Sequence, residues 1–143
     1  MRYITLRNGV KMPQLGYGVY QVSSGECERC VLDAVSAGYR AIDTAQSYGN
    51  EEAVGNAVKK CGVPRSELFL TTKVWISNAG YEKARESIDK SLKNLQTDYI
   101  DLLLIHQPAG NYVAGYRQME KAYKEGKVRA IGLSNFNKEQ IEE

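Results

Sequence analysis

Four apolar, strand-like runs recur along this chain at nearly constant intervals, and each ends in a polar side chain. They close on Asp43, Lys73, His106 and Ser134, which stand 30, 33 and 28 positions apart. An interval of that size holds one strand, one helix and two turns, as in a chain of parallel strands joined by helical crossovers. Right-handed crossovers then bring the polar residues together at the ends of successive strands. The alternation favours an α/β barrel or a doubly wound sheet.

The remaining pattern supplies the elements. Ile4–Leu6 and Val10–Met12 flank Asn8-Gly9, a pair suited to a tight turn with positive φ, and predict an N-terminal β-hairpin that plugs one end of a barrel. Gln14–Tyr20 reads as the first strand of the main sheet, and the apolar run ending at Asp43 supplies the next. A helix over Glu26–Ala37 carries Cys27, Cys30, Val31, Ala34 and Val35 on one stripe, and a second over Glu51–Lys60 carries Val54, Ala57, Val58 and then Cys61, closed by Gly62. Glu67–Val74 predicts a strand and Glu82–Asn94 a helix burying Ala84, Ile88, Leu92 and Leu95. Tyr99–Ile105 is nearly continuously apolar, as in a strand covered on both faces. A helix near Tyr116–Lys124, burying Met119, Ala122 and Tyr123, leads to a last strand over Lys127–Leu133.

Composition narrows the function. With 43% hydrophobic and 25% charged residues and a net charge of +2, the chain has neither a disordered composition nor a basic stripe for nucleic acid, so a small-molecule substrate is expected. The polar segment Met1–Gly9 is no signal peptide, no apolar run has membrane-spanning length, and the three cysteines are an odd number, so a reducing, cytoplasmic location is expected. A full (β/α)8 barrel needs roughly 250 residues, and this chain has 143. Its last residues, Asn137–Glu143, read as a helix start with early acids. The expectation is one domain over residues 1–143, incomplete at its C-terminal end.

The motifs are more specific than the pattern. Gly38–Glu51 contains Asp43, Thr44, Ala45 and Tyr48; Thr72-Lys73-Val74-Trp75 and Ile105-His106-Gln107-Pro108 follow; then comes Gly132-Leu133-Ser134-Asn135-Phe136. This set, in this order and along the whole chain, resembles the aldo-keto reductase family. The resemblance implies a (β/α)8 TIM-type barrel, here cut to about the first five β/α units. It also implies reduction of aldehydes or ketones with a nicotinamide cofactor, usually NADPH, without a Rossmann domain or a metal.

The residues make chemical sense of that activity. Carbonyl reduction needs a proton donor beside the oxygen, and the resemblance gives this role to Tyr48. A free phenol ionises only near pH 10, so it needs help to release its proton. Lys73 would stabilise the phenolate with its charge, while Asp43 would hold the ammonium protonated and aimed. His106, the only histidine, would donate a ring hydrogen bond to the substrate oxygen. The resemblance further implies that Ser134 and Asn135 hold the nicotinamide carboxamide, that Gly18, Val19 and Tyr20 lie beside its ribose, and that Asp43 also touches the cofactor. Tyr20 and Trp75 would wall the substrate pocket together with Tyr48 and His106. Gln107 stands where some relatives carry an aromatic, which suggests a more polar pocket. Each residue alone also has a plainer reading: loop packing for Tyr48, helix capping for Asp43, Ser134 or Asn135, solvent exposure for Lys73, and core packing for Val19, Tyr20 or Trp75.

Competing signals fail. Gly16-Tyr17-Gly18 has Gln21 where a dinucleotide fingerprint has its third glycine. Cys27 and Cys30 have redox spacing but fall on a buried stripe, and three cysteines with one histidine do not make a zinc site. A hydrolase using Ser134 with His106 lacks the closing glycine of a nucleophile elbow. A non-catalytic half-barrel that assembles with itself or a partner is the alternative from another class, because an open sheet with two bare edges favours self-association.

Overall fold

A computed structural model describes residues 1–143. Strands β1 (Tyr3–Thr5) and β2 (Lys11–Pro13) form an antiparallel hairpin, with Gly9 at φ 87° in its turn. The main sheet contains β3 (Gly16–Gly18), β4 (Ala41–Asp43), β5 (Phe69–Val74), β6 (Ile100–Ile105) and β7 (Val128–Leu133), all parallel. Their spatial order is their chain order. A doubly wound sheet reverses its order at a switch point, whereas a barrel does not; the two readings left open by the strand spacing are thereby resolved. The sheet is a five-stranded part of a (β/α)8 barrel.

Helices α1 (Ser24–Ser36), α2 (Glu51–Lys60), α3 (Tyr81–Leu95) and α4 (Tyr112–Lys124) follow the strands, and each packs against the next as an outer layer. A short α5 (Lys138–Glu142) starts at a capping box in which Asn137 and Gln140 exchange hydrogen bonds. No helix is long and apolar enough to cross a membrane.

Strand register separates the two faces of the sheet. Ile42 pairs with Leu70, Thr72 with Leu103 and Val74 with Ile105, and these side chains point at the helices. There they join Val31, Val35, Val54, Ile88 and Met119 in one buried cluster. Asp43, Thr71, Lys73, Leu102, Leu104 and Gly132 share the opposite face through the pairs Asp43–Thr71, Thr71–Leu102, Lys73–Leu104 and Leu104–Gly132. Two helix contacts depend on bare backbone. A Cβ at Gly55 of α2 would lie 2.2 Å from the Asn94 carbonyl of α3, and one at Gly115 of α4 would lie 2.5 Å from that of Ala79.

The sequence reading needs correction in places. The first main-sheet strand is three residues long, not seven: Gln14 N–H turns away to the Arg2 carbonyl, and Gln21 adopts φ 61° just after the strand. Helix α4 begins four residues before Tyr116, because Gly115, a weak helix former, masks its first turn while being needed for close packing. Tyr123 is exposed and Gln118 takes the buried position; Leu92 and Cys30 are only half-buried.

One residue inside the apolar run of β6 was not foreseen as important. Asp101 is 1% exposed, and its carboxylate meets Arg65 Nη2 at 2.7 Å, Arg129 Nη1 at 3.1 Å and the Leu70 N–H at 2.8 Å. It ties β5, β6 and β7 together at their N-terminal ends, where Asn8 of the hairpin turn also bonds the Arg129 carbonyl at 2.8 Å. Asp101→Ala leaves two guanidinium groups without their counter-charge and a strand amide without its acceptor. We expect a loss of about 3–5 kcal/mol, read as a lower urea midpoint with an unchanged m-value, whereas Asp98→Ala, outside this cluster, changes it little.

Candidate active site

The C-terminal ends of β4, β5 and β6 converge on one cluster. Asp43 ends β4 and Lys73 sits one residue from the end of β5, so the register places them on the same face one strand apart. Lys73 is 7% exposed. Its Nζ lies 2.9 and 2.8 Å from the two Asp43 carboxylate oxygens, 3.0 Å from the Thr44 carbonyl and 3.4 Å from the Tyr48 hydroxyl. Three ammonium protons meet three close acceptors, and the phenol oxygen stands as a fourth, longer neighbour in the same positive field. Because an ammonium only donates, the Tyr48 hydroxyl faces it as an acceptor and keeps its own proton to give elsewhere.

Tyr48 closes a short 3₁₀ turn, Gln46–Tyr48, followed by Gly49 in the left-handed region at φ 69°. Two amides hold this turn. Asn50, 1% exposed, accepts from Thr44 Oγ1 at 2.7 Å and donates to the Val19 and Val22 carbonyls at 3.0 Å each. Gln46 bonds the Trp75 backbone on the other side. Neither residue stood out in the sequence; their only signal was position, flanking Tyr48 in the same short run.

His106 follows β6, with its N–H donating to the Val74 carbonyl at 3.1 Å. Its ring stands edge-on to Tyr48 and Trp75, with centroids at 5.7 and 5.1 Å, and Ser47 Oγ lies 3.5 Å from its Nδ1. The pKa of His106 is pushed below its ordinary value by burial and then by the Lys73 charge, against a smaller opposing effect of Asp43. The imidazole is therefore neutral at pH 7 and carries one ring proton, which it can donate. Tyr20, exposed on the adjoining loop, lies 5.2 Å from the Tyr48 ring.

The structure brings Asp43, Tyr48, Lys73, Trp75, His106 and Tyr20 into one continuous group. Ser134 and Asn135 join it from β7: Asn135, at φ 65°, donates to the His106 carbonyl at 3.0 Å and to Ser134 Oγ at 3.1 Å. Those two bonds use both amide protons, so Asn135 still offers its Oδ1 beside the Ser134 hydroxyl. Gly18 pairs with Asp43, and a Cβ there would meet nothing within 4 Å. Val19 differs from its neighbours: its side chain is fully buried and both its backbone groups are engaged, with Asp43 and Asn50. It shapes the turn from within. Ser134 meets Asn135, and the serine beside the His106 ring is Ser47, so the Ser134–His106 pair of a hydrolase does not form.

The model of the Aldo/keto reductase family matches residues 9–143. The chain belongs to that family. It is 50% identical over 142 residues to a glyoxal reductase of Bacillus subtilis, covering 98% of this chain and 51% of the relative. It is also 48% identical to a 9,11-endoperoxide prostaglandin H2 reductase of Trypanosoma cruzi, covering 98% of this chain and 50% of the relative. Among solved structures, an aldo/keto reductase from Brucella melitensis superposes with a TM-score of 0.96 at 46% identity, covering 99% of this chain and 56% of that one. An aldo-keto reductase of Bombyx mori in complex with NADP gives 0.94 at 36% identity, covering 99% and 52%. The chain thus spans about half the length of the curated relatives it matches.

The single histidine makes the electrostatics of this aldo-keto reductase site measurable. We expect its ring resonance to titrate below the ordinary histidine range, and Lys73→Met to raise the midpoint by removing a nearby positive charge. The sign for folding follows: a depressed folded pKa gives stability that is present above the unfolded value near 6.5 and is lost as pH falls through the folded pKa. His106→Gln should flatten the stability curve across that window in urea titrations.

Proposed function

We propose that this chain carries the proton-transfer and carbonyl-binding half of a reductase that converts small aldehydes or ketones to alcohols with NADPH. The observation that carries the reading is the Asp43–Lys73–Tyr48 contact beside a neutral His106. Tyr48 is the proton donor: its hydroxyl has the Lys73 charge behind it, so the phenolate left after transfer is stabilised where it forms. Asp43 keeps the ammonium paired and fixed. His106 donates a ring N–H hydrogen bond to the carbonyl oxygen, which polarises the carbonyl and orients it toward Tyr48, the donor of the single proton transferred. Trp75 and Tyr20 flank the two donors and exclude water from one side each.

The residues present suit a nicotinamide cofactor. Gly18 leaves open space beside Asp43, where a side chain would intrude, and Asn135 Oδ1 with the Ser134 hydroxyl offers the acceptor and donor that a carboxamide needs. Gly18, Ser134 and Asn135 would hold that group, with Asp43 and the backbone beside Tyr20 close by. When bound, it supplies the hydride. The glyoxal reductase likeness and the paired donors favour compact, reactive carbonyls such as dicarbonyls as substrates, and a cytoplasmic setting suits that chemistry.

A second reading rests on the sheet itself. Strands β3 and β7 are paired on one side only, and Leu133 of β7 is exposed. We propose that the 143-residue chain associates through these edges. Light scattering on dilution should show a mass above 16.0 kDa; a sharp monomer that melts cooperatively would sink that idea.

The catalytic reading is tested by loss of NADPH absorbance with methylglyoxal as substrate. Tyr48→Phe keeps the ring and removes the hydroxyl, and should lower turnover by about 10²–10⁴-fold without a comparable change in melting. Tyr48→Phe turning over at the parent rate would overturn it.

A further inference from the structure

The Gln46 side chain makes four hydrogen bonds beside the site. Its Oε1 accepts from the Trp75 backbone N–H at 3.0 Å and from Asn78 Nδ2 at 3.0 Å; its Nε2 donates to the Ser87 carbonyl at 3.3 Å and to Ser91 Oγ at 3.1 Å. An amide side chain has two acceptor sites and two donor protons, and all are filled. The four partners lie on two elements: the loop after β5, which carries Trp75, and helix α3. Gln46 itself opens the 3₁₀ turn that ends in Tyr48. One side chain therefore connects the proposed proton donor, the proposed pocket wall and the helix behind them.

The position of Trp75 depends on this bond. It is the residue after the end of β5, and its N–H leaves the strand ladder to meet Gln46. Its ring stands 5.1 Å from His106, which stands 5.7 Å from Tyr48. Moving the loop by one ångström would change the gap between the wall and both donors. Hydrophobic packing alone does not fix such a distance, because Trp75 is only half-buried; a bond to the backbone does.

We infer that Gln46 is a positioning residue that sets the width of the carbonyl pocket by fixing Trp75 relative to Tyr48 and His106. It rests on the reading of this cluster as a carbonyl site. The role is conformational, so it can be followed without turnover. Trp75 is the only tryptophan and His106 the only histidine in the chain, so a nuclear Overhauser contact between their rings is unambiguous.

The test compares wild type with Gln46→Met, which keeps the length and removes all four bonds, and Gln46→Glu, which keeps an acceptor for Trp75. In Gln46→Met, Trp75 amide exchange should speed up about tenfold, the worth of one net hydrogen bond. The His106 amide, bonded to Val74, should keep its rate, and the Trp75–His106 ring contact should weaken. In Gln46→Glu both signals should stay close to wild type. Ser91→Ala, which removes a single bond on the helix side, should lower stability without changing the ring contact. An unchanged ring contact in Gln46→Met would overturn the inference. So would equal acceleration of the Trp75 and His106 amides, which would mean that Gln46 adds only general stability. Where Gln46→Met does not fold, Gln46→Glu decides, since loss of the ring contact in that folded variant is fatal to it. Turnover retained in Tyr48→Phe would instead overturn the functional reading and leave these spectra as they stand.

Discussion

The Asp43–Lys73 pair is the constraint around which the site is built. A lysine that is 7% exposed at a strand end has lost most of its water, and a buried ammonium is tolerable only with acceptors for its protons. Two carboxylate oxygens and the Thr44 carbonyl provide them. That arrangement needs β4 and β5 to be neighbours in the parallel register Asp43–Thr71, which sets Lys73 one step further along on the same face. The sheet order is thus a chemical requirement as well as a packing solution. Tyr48 benefits because it comes last: the ammonium's protons are occupied, so the phenol feels the charge without being tied to it as a close partner.

Opposite ends of the strands do different work. At the N-terminal ends, Asp101 gathers Arg65, Arg129 and the Leu70 amide, and the hairpin turn reaches Arg129 through Asn8. These polar groups hold strands together. At the C-terminal ends, polar atoms are left with capacity: the Tyr48 proton, the His106 ring proton, Asn135 Oδ1 and the Ser134 hydroxyl. This division is the general habit of α/β barrels, where stability resides at one end and chemistry at the other.

Much of this was legible in the sequence, for a definite reason. Asp43, Lys73, His106 and Ser134 end apolar runs, and parallel strands convert equal spacing along the chain into adjacency in space. Tyr48 follows within the same loop, so its approach to Lys73 needed no long-range knowledge. Asn50, Gln46 and Asp101 were missed because their importance is tertiary. Asn50 works through carbonyls 28 and 31 positions away, and no local pattern marks a carbonyl as waiting for a donor. Asp101 was hidden inside an apolar run, where its guanidinium partners come from a distant turn and from the next strand. Val19 shows the converse limit: a motif position suggested contact with a ligand, yet the side chain is core and only the fold reveals it.

The two amides explain how a loop can carry the proposed proton donor. Loops after strands are usually the least fixed parts of a barrel, while proton transfer demands placement to within a few tenths of an ångström. Here the loop after β4 is bounded by Gln46 and Asn50, each with its polar atoms engaged by a different neighbour. Asn50 draws the loop toward the Val19–Val22 segment and hence toward Tyr20; Gln46 draws it toward Trp75 and α3. Both amides are neutral, so they fix the turn without adding a charge that would compete with Lys73 for Asp43 or alter the field at Tyr48. A carboxylate at either position would lose the donated bonds and an ammonium the accepted ones, and each would also change the electrostatics at Tyr48. Neutral, hydrogen-bonded side chains on both sides of Tyr48 separate the task of holding the loop from the task of tuning its chemistry.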